Sequence, residues 1–428
     1  MGTYLLWNNT AESRPLTPLR QHLNVGAMPT IEASQRLQVL PRYLFAELER
    51  KRREAEAAGR EVLDLSIGDP DLPTPQPILD QMAAAALAPE NHRYPTSAGM
   101  LEVRARIARW FQERYGVALD PGREIAMLLG SKEGIGHFPL AVLNPGDEAL
   151  VPDPGYPVYA AGTVFAGATP IRYPIQEDQG FLPKIADLDR LATDRTRVVF
   201  VNYPNNPTGA TAPLEFYDLL TDWASRREIL VASDAAYSEL YYEEPPHSIF
   251  EVSGARQRSI EFHSFSKTFN MTGWRIGFVV GAAPLVESLV RLKANVDSGA
   301  PQAIQLAASW GLSALPAHGP ALRAVYLERR DLALEVLRRI GCPIKTPGGA
   351  FYLWGRIPAG ERSMDFVSRI FEKTGVLLTP GVGFGSEGEG YFRIALTCPV
   401  EMLGRALARI EALQPWKEAR ASASPVAR

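Results

Sequence analysis

A chain of 428 residues, 46% hydrophobic and 22% charged with a net charge of −3, is long enough for two cores and is neither a basic nucleic-acid binder nor an acidic disordered chain. No apolar run reaches the roughly 18 residues that cross a bilayer, and the first ten residues lack the basic start and apolar segment of a secretory signal, so cytoplasm is the expected compartment. Two cysteines, Cys342 and Cys398, do not make a disulfide scaffold, and none of the six histidines pairs with another at ligand spacing, so no metal is expected.

In chain order, residues 1 to about 33 show little periodicity and read as a mobile arm. From Leu40, apolar residues at helical spacing run into a charged stretch that stops at Gly59. Val62 to Ile67 reads as a strand. The following turn, Gly68-Asp69-Pro70-Asp71-Leu72-Pro73-Thr74-Pro75, is rigid because each proline restricts the residue before it. Such a turn brings backbone close to something or is a plain linker. Tyr94-Pro95-Thr96-Ser97-Ala98-Gly99 precedes an amphipathic helix with Leu101, Val103, Ile107, Trp110 and Phe111 on its apolar side. Ile125 to Leu129 then reads as a buried strand, and Gly130-Ser131-Lys132 opens a helix. Free N–H groups and the positive end of the helix dipole suit a phosphate there.

The alternation continues. Ala149 to Pro152 ends at Asp153-Pro154-Gly155-Tyr156, Val198 to Val201 ends at Asn202-Tyr203-Pro204-Asn205-Asn206-Pro207-Thr208-Gly209, and Ile229 to Ser233 ends at Asp234-Ala235-Ala236-Tyr237. Near-continuous apolar strands separated by helix-length segments predict an α/β layout, with a mostly parallel sheet covered on both faces. Ligands of such sheets gather beyond the carboxyl ends of the strands, where Gly130, Tyr156, Asn206, Asp234 and Tyr237 fall.

Ser264-Phe265-Ser266-Lys267, with Arg275 eight positions after the lysine, carries the chemistry. An amine that forms covalent bonds to carbonyls needs an apolar setting that lowers its pKa. Hydroxyls and a guanidinium fork anchor a phosphate dianion. Together they suggest pyridoxal 5′-phosphate bound to Lys267, with its phosphate on Ser264, Ser266 and Arg275. Alone, Ser-x-Ser-Lys also suits a surface loop. Further on come helical segments from about Leu285 to Ala314 and from Leu322 to Ile340. Strands near Ala350 to Trp354 and Tyr391 to Leu396 then predict a smaller α+β domain, and the polar tail from Glu418 reads as frayed.

Asn205-Asn206-Pro207-Thr208-Gly209, Asp234-x-x-Tyr237, Ser264-x-Ser266-Lys267 and Arg393 arrive in the order of the class I aminotransferases of the aspartate aminotransferase fold, and residues 40 to 412 resemble that family. The resemblance implies fold type I, with a large cofactor-binding domain over 67–314, a small domain from 34–66 and 315–415, an arm at 1–33 and a flexible tail at 416–428. Within the family the chain is most similar to the LL-diaminopimelate aminotransferases. That likeness lies in Gly130 to Ile135, Asn270 to Arg275, Asn295 to Gly299 with Gln302 to Gln305, and Gly388 to Arg393.

By resemblance, Lys267 holds the cofactor as a Schiff base and shuttles the proton in a ping-pong transfer. Asp234 faces the ring nitrogen, Tyr237 and Asn206 donate to the phenolic oxygen, and Tyr156 stacks on the ring. Ser131 and Lys132 join Ser264, Ser266 and Arg275 at the phosphate. Arg393 clamps the substrate α-carboxylate. Gly68 and Asn295 approach the substrate, Lys132, Tyr156 and Asn206 border it, and Tyr43 and Tyr94 reach across a homodimer interface. The implied reaction turns LL-diaminopimelate and 2-oxoglutarate into tetrahydrodipicolinate and glutamate, in lysine biosynthesis. Pro347-Gly348-Gly349-Ala350-Phe351-Tyr352 departs from that group's usual Lys-Ala-Thr-Phe-Tyr. Alanine (glutamate–pyruvate) or broader amino-acid transamination is therefore the alternative, and a β-lyase a lesser one. A transcription-regulator role would need a DNA-binding module, for which the first residues give no pattern.

Overall fold

The computed structural model describes residues 32–40 and 44–416, so Tyr43 and most of the expected arm and tail lie outside the described residues. The chain separates into a unit of residues 1–39 and a unit of residues 40–428. In the first, the described part holds one short helix, Gln35–Gln38.

Among its described residues the second unit contains twelve strands: β1 Leu63–Asp64, β2 Ile125–Leu128, β3 Glu148–Asp153, β4 Thr169–Pro174, β5 Thr196–Asn202, β6 Leu230–Asp234, β7 Ser259–Ser264, β8 Gly277–Gly281, β9 Tyr352–Arg356, β10 Val376–Leu377, β11 Thr379–Pro380 and β12 Tyr391–Ala395. Seven form one sheet in the order β2-β8-β7-β6-β5-β3-β4. Only β8 runs against the rest: it pairs antiparallel with both β2 and β7, while the other four pairings are parallel. The sheet is therefore mostly parallel, as the apolar runs predict.

Alternation along these strands feeds two cores. Ile125, Met127, Val199 and Val201 face one side with Ile107 and Phe111. Ala126, Leu128, Val198 and Phe200 face the other with Ile135, Phe138 and Leu289. The helix Leu101–Tyr115 buries Val103, Ile107, Trp110 and Phe111 and ends at Gly116, whose φ of 71° suits a residue without Cβ. Leu101, expected on that apolar side, is instead exposed. Residues 103, 107, 110 and 111 keep i+3/i+4 spacing, and position 101 lies well round the helix from 103.

The smaller sheet has the order β11-β12-β9, and β1 pairs with β10. The strand expected over 62–67 shortens to Leu63–Asp64, because Leu65 and Ser66 carbonyls turn to Ala395 N–H and to the Arg393 and Thr379 side chains. The two helical segments expected before 340 also differ: Ala283–Val296 is one helix, and Gln302–Arg339 is a single helix that runs through Pro316 and Pro320. Its buried face packs on the helices Gln76–Leu87 and Leu101–Tyr115, which offsets the hydrogen bonds the prolines remove.

Candidate active site

Five parallel strands and the start of β8 deliver their loops to one edge of the large sheet, and a cavity of about 340 Å³ opens there. Ser131 and Lys132 open the helix that follows β2, Tyr156 comes from the loop after β3, Asn202 ends β5, and Asn206 lies in the turn beyond it. Asp234 ends β6, with Ala236 and Tyr237 just after it; Ser264 ends β7, with Ser266 and Lys267 just after it; and Thr272 and Arg275 precede β8. Ile67, Gly68, Asp69, Tyr352 and Arg393 close the opposite wall. This volume is at the small end of ordinary ligand sites.

Lys267 sits on the short helix Phe265–Thr268, capped by Ser264, whose Oγ accepts the Ser266 N–H at 3.2 Å. Its Nζ donates to the Gly68 carbonyl at 2.8 Å and lies over the Phe351 ring. Burial lowers the Lys267 pKa to about 8; the Arg275 and Arg393 charges push the same way, and Asp69 opposes. The rigid turn that supplies Gly68 is itself pinned: Thr74 Oγ1 donates to the Asn270 carbonyl at 3.0 Å and accepts from Trp274 Nε1 at 3.1 Å. A Cβ on Gly68 would come within 2.0 Å of the Tyr352 hydroxyl, so the close approach requires glycine.

Asp234 ends β6 and accepts from Tyr159 Oη at 2.7 Å and from the Ala236 N–H at 3.2 Å. Burial nevertheless raises its pKa to about 6. Asn202 donates through Nδ2 to the Asp234 carbonyl at 2.8 Å and accepts the Asn206 N–H at 2.8 Å, which fixes the turn that carries Asn206. Asn206 Oδ1 accepts from Arg393 Nη1 at 2.8 Å, and Arg393 Nη2 donates to the Ser66 carbonyl at 2.6 Å. The Arg393 guanidinium lies 4.2 Å from the Tyr352 ring centre, and the Tyr352 and Tyr237 hydroxyls are 2.9 Å apart.

At the other end, Gly130 caps the helix Ser131–Val142 with φ of 80°. A Cβ there would meet Arg275 Nη2 at 2.6 Å, so glycine keeps this cradle open. Arg275 takes the left-handed conformation, φ 51°, and donates to the Thr272 carbonyl at 2.8 Å. Such a conformation in a non-glycine residue is strained, and the site holds it in place. The ammonium of Lys132 lies over the Tyr156 ring. Lys132, Lys267, Arg275 and Arg393 face Asp69 and Asp234, a surplus of positive charge that suits an anionic guest.

Of the expected site residues, two described ones are not among the cavity's lining and a third is not described. Tyr94 is 92% exposed, Asn295 is exposed and donates to the Arg291 carbonyl, and Tyr43 lies outside the described residues. Conversely, Asp69, Asn202, Thr272 and Tyr352 line the cavity without having been singled out, and Tyr159 supports Asp234 from behind. Asn202, Thr272 and Tyr352 each stand inside or beside a quoted motif, and that adjacency was the available signal. Among the described residues, Glu133, His137 and Asp297 could gather round a cation. Lys293 Nζ, however, already bonds Glu133 and Asp297.

Residues 60–410 match the family described as aminotransferase class I and II. The chain is 49% identical over 384 residues to the LL-diaminopimelate aminotransferase of Aquifex aeolicus, covering 90% of this chain and 99% of that one. Among solved structures, substrate-bound BacF from Bacillus subtilis superposes with a TM-score of 0.86 at 35% identity, over 90% of this chain and 98% of that one. Aspartate aminotransferase from Thermus thermophilus with maleate gives 0.84 at 29% identity, over 90% and 100%.

Proposed function

The chain belongs to the class I and II aminotransferases, and on that footing we propose that it moves the amino group of LL-diaminopimelate to 2-oxoglutarate in a ping-pong reaction. The observation that carries the reading is the meeting of Lys267, Asp234 and Arg393 in one cavity; the donor is proposed from the likeness to the A. aeolicus enzyme.

Enzymes of this family use pyridoxal 5′-phosphate, and the residues present fit it. An amine lowered to about 8 is available to a carbonyl, a buried carboxylate can face a cationic ring nitrogen, and a glycine-lined cradle with Arg275 can take a dianion. When bound, the cofactor supplies an electron-withdrawing ring that stabilises negative charge at the donor's α-carbon. In this proposal Lys267 would attach the cofactor and, once displaced, its free amine would take the proton from the donor's α-carbon and deliver it to the carbon that had been the cofactor's aldehyde. Asp234, oriented by Tyr159, holds the proton at the ring nitrogen. Ser131, Lys132, Ser264, Ser266 and Arg275 take the phosphate, and Tyr156 covers the ring. Asn206 spends Oδ1 on Arg393 and so keeps Nδ2 for the phenolic oxygen, beside Tyr237. Arg393, stacked on Tyr352 and aimed by Asn206 and Ser66, receives the α-carboxylate as a planar two-pronged donor.

The departure at 347–352 does not count against this donor. Gly348 and Gly349 donate to the Gly209 carbonyl, and a Cβ on Gly349 would meet Pro204 at 2.8 Å. These glycines serve backbone packing and do not line the cavity, whereas Tyr352, which the group's pattern shares, does. A homodimer belongs to this reading too. The exposed Tyr94, Asn295 and Leu101, with Tyr43, would face a second copy. So do a cytoplasmic location, a place in lysine biosynthesis, and the division into a large part over 67–314 and a small part from 34–66 and 315–415. That division is supported by the seven-stranded sheet within 125–281 and the three-stranded sheet within 352–395. Among the described residues no helix is long and apolar enough to cross a membrane. Steady-state rates with LL-diaminopimelate and with alanine or glutamate as donors test the proposal. A kcat/KM at least tenfold higher for LL-diaminopimelate is expected, and a preference for the alanine–glutamate pair would replace it with the alternative.

A further inference from the structure

Lys293 is fully buried on the helix Ala283–Val296, and no role falls to it in the reaction above. Its ammonium donates to Glu133 Oε2 at 2.9 Å and to the Asp297 carboxylate at 3.0 and 3.2 Å. A buried ammonium is costly unless paired and hydrogen-bonded, and here its donors are spent on two carboxylates. Glu133 is the third residue of the helix that begins at Ser131, directly after the cavity-lining Ser131 and Lys132. It also accepts the Leu129 N–H at 3.0 Å and bonds His137 Nδ1 at 2.7 Å. Burial works against its charge, but the hydrogen bonds from His137, Lys293 and Leu129 hold its carboxyl below the ordinary range. Asp297 in turn accepts the Gly299 N–H at 2.9 Å, and a Cβ on Gly299 would meet the Thr96 carbonyl at 2.8 Å. The first turn of the helix is thus tied through one ammonium to the 297–299 turn.

We propose that Lys293 is a positioning residue for the phosphate end of the cavity, and that it does two things there. Through Glu133 it fixes the turn whose N–H groups and Ser131 and Lys132 side chains meet the phosphate. It also offsets a first-turn carboxylate that would otherwise compete with that phosphate for the positive end of the helix. The ammonium fills the place a cation would take among Glu133, His137 and Asp297. The inference rests on the reading that this end takes the cofactor's phosphate.

The test titrates the full-length chain, freed of cofactor, with pyridoxal 5′-phosphate and with pyridoxal. Wild type is expected to prefer the phosphate ester; equal affinity would overturn the reading of that end and the inference with it. Lys293→Met is expected to lose roughly ten- to a hundredfold of that preference, the range that outer hydrogen-bond partners carry at metal sites. Its pyridoxal affinity should stay within about threefold, and Lys293→Arg should recover part of the loss. A cooperatively folded Lys293→Met with the wild-type preference would overturn the inference while leaving the reading intact. Should Lys293→Met not fold, amide exchange in wild type decides. Pyridoxal 5′-phosphate, but not pyridoxal, is expected to slow exchange at 297–299 as well as at 131–133, and no slowing at 297–299 overturns the inference.

Discussion

Lys267 is held in a setting that makes an amine reactive near neutral pH, because burial and two nearby guanidinium groups bring its pKa from 10.5 to about 8. In the cofactor-free chain, condensation with pyridoxal should therefore rise with pH and reach half its limit near 8; a midpoint above 10 would mean that burial does not set the value. Asp234 carries the opposite cost. Its pKa is raised from 3.8 to about 6, so folding without a cationic partner is penalised as pH rises through that window, fully above about 6. Cofactor-free Asp234→Asn should then melt higher than wild type at pH 7, by on the order of 1–3 kcal/mol, while losing most activity; a lower melting point would contradict the desolvation argument. Gly68→Ala must push the Tyr352 hydroxyl aside and disturb the carbonyl that Lys267 meets. It should cost at least about tenfold in kcat/KM with only about 1–3 kcal/mol of stability. Cavity residues with unusual chemistry, such as Asp234 at the end of β6, Lys267 just beyond β7 and Arg393 within β12, were legible in the sequence. Tyr352, Asn202 and Thr272 were not, because their place follows from how the small sheet and the Asn202 turn pack, which periodicity does not encode.

The strands that build the site were readable where they are central and apolar. β4 was not, since Thr169-Pro170-Ile171-Arg172-Tyr173-Pro174 contains two prolines and a charge; it is the edge strand, where proline is tolerated because one side has no partner. The helix Gln302–Arg339 misled for a related reason. Pro316 and Pro320 predict a break, yet both are exposed and the buried face carries the helix through. Pro316→Ala restores one N–H and removes a clash with the preceding turn, so it is expected to stabilise by about 1 kcal/mol without altering turnover. A fall in melting temperature would show that the proline sets a bend the packing needs.

At the scale of the whole molecule, one chain brings most of the expected site together and leaves Tyr94 and Asn295 outside its cavity. If those residues serve a second copy, Lys267→Ala and Tyr94→Ala should each be impaired alone. Unfolded and refolded together, they should regain about a quarter of wild-type activity, since half the dimers are mixed and one site in each is whole. No recovery would place Tyr94 outside the shared site. The order of motifs along the chain revealed the family, whereas a part for Tyr94 in a second copy rests on that resemblance and not on any pattern around Tyr94 itself. Attachment of the cofactor to Lys267 underlies every other role proposed for the cavity. Reducing the purified enzyme with borohydride, digesting it and mapping the modified peptide should place one pyridoxyl group per chain on Lys267. A pyridoxyl group on Lys132, on Lys293 or on no lysine at all would contradict it.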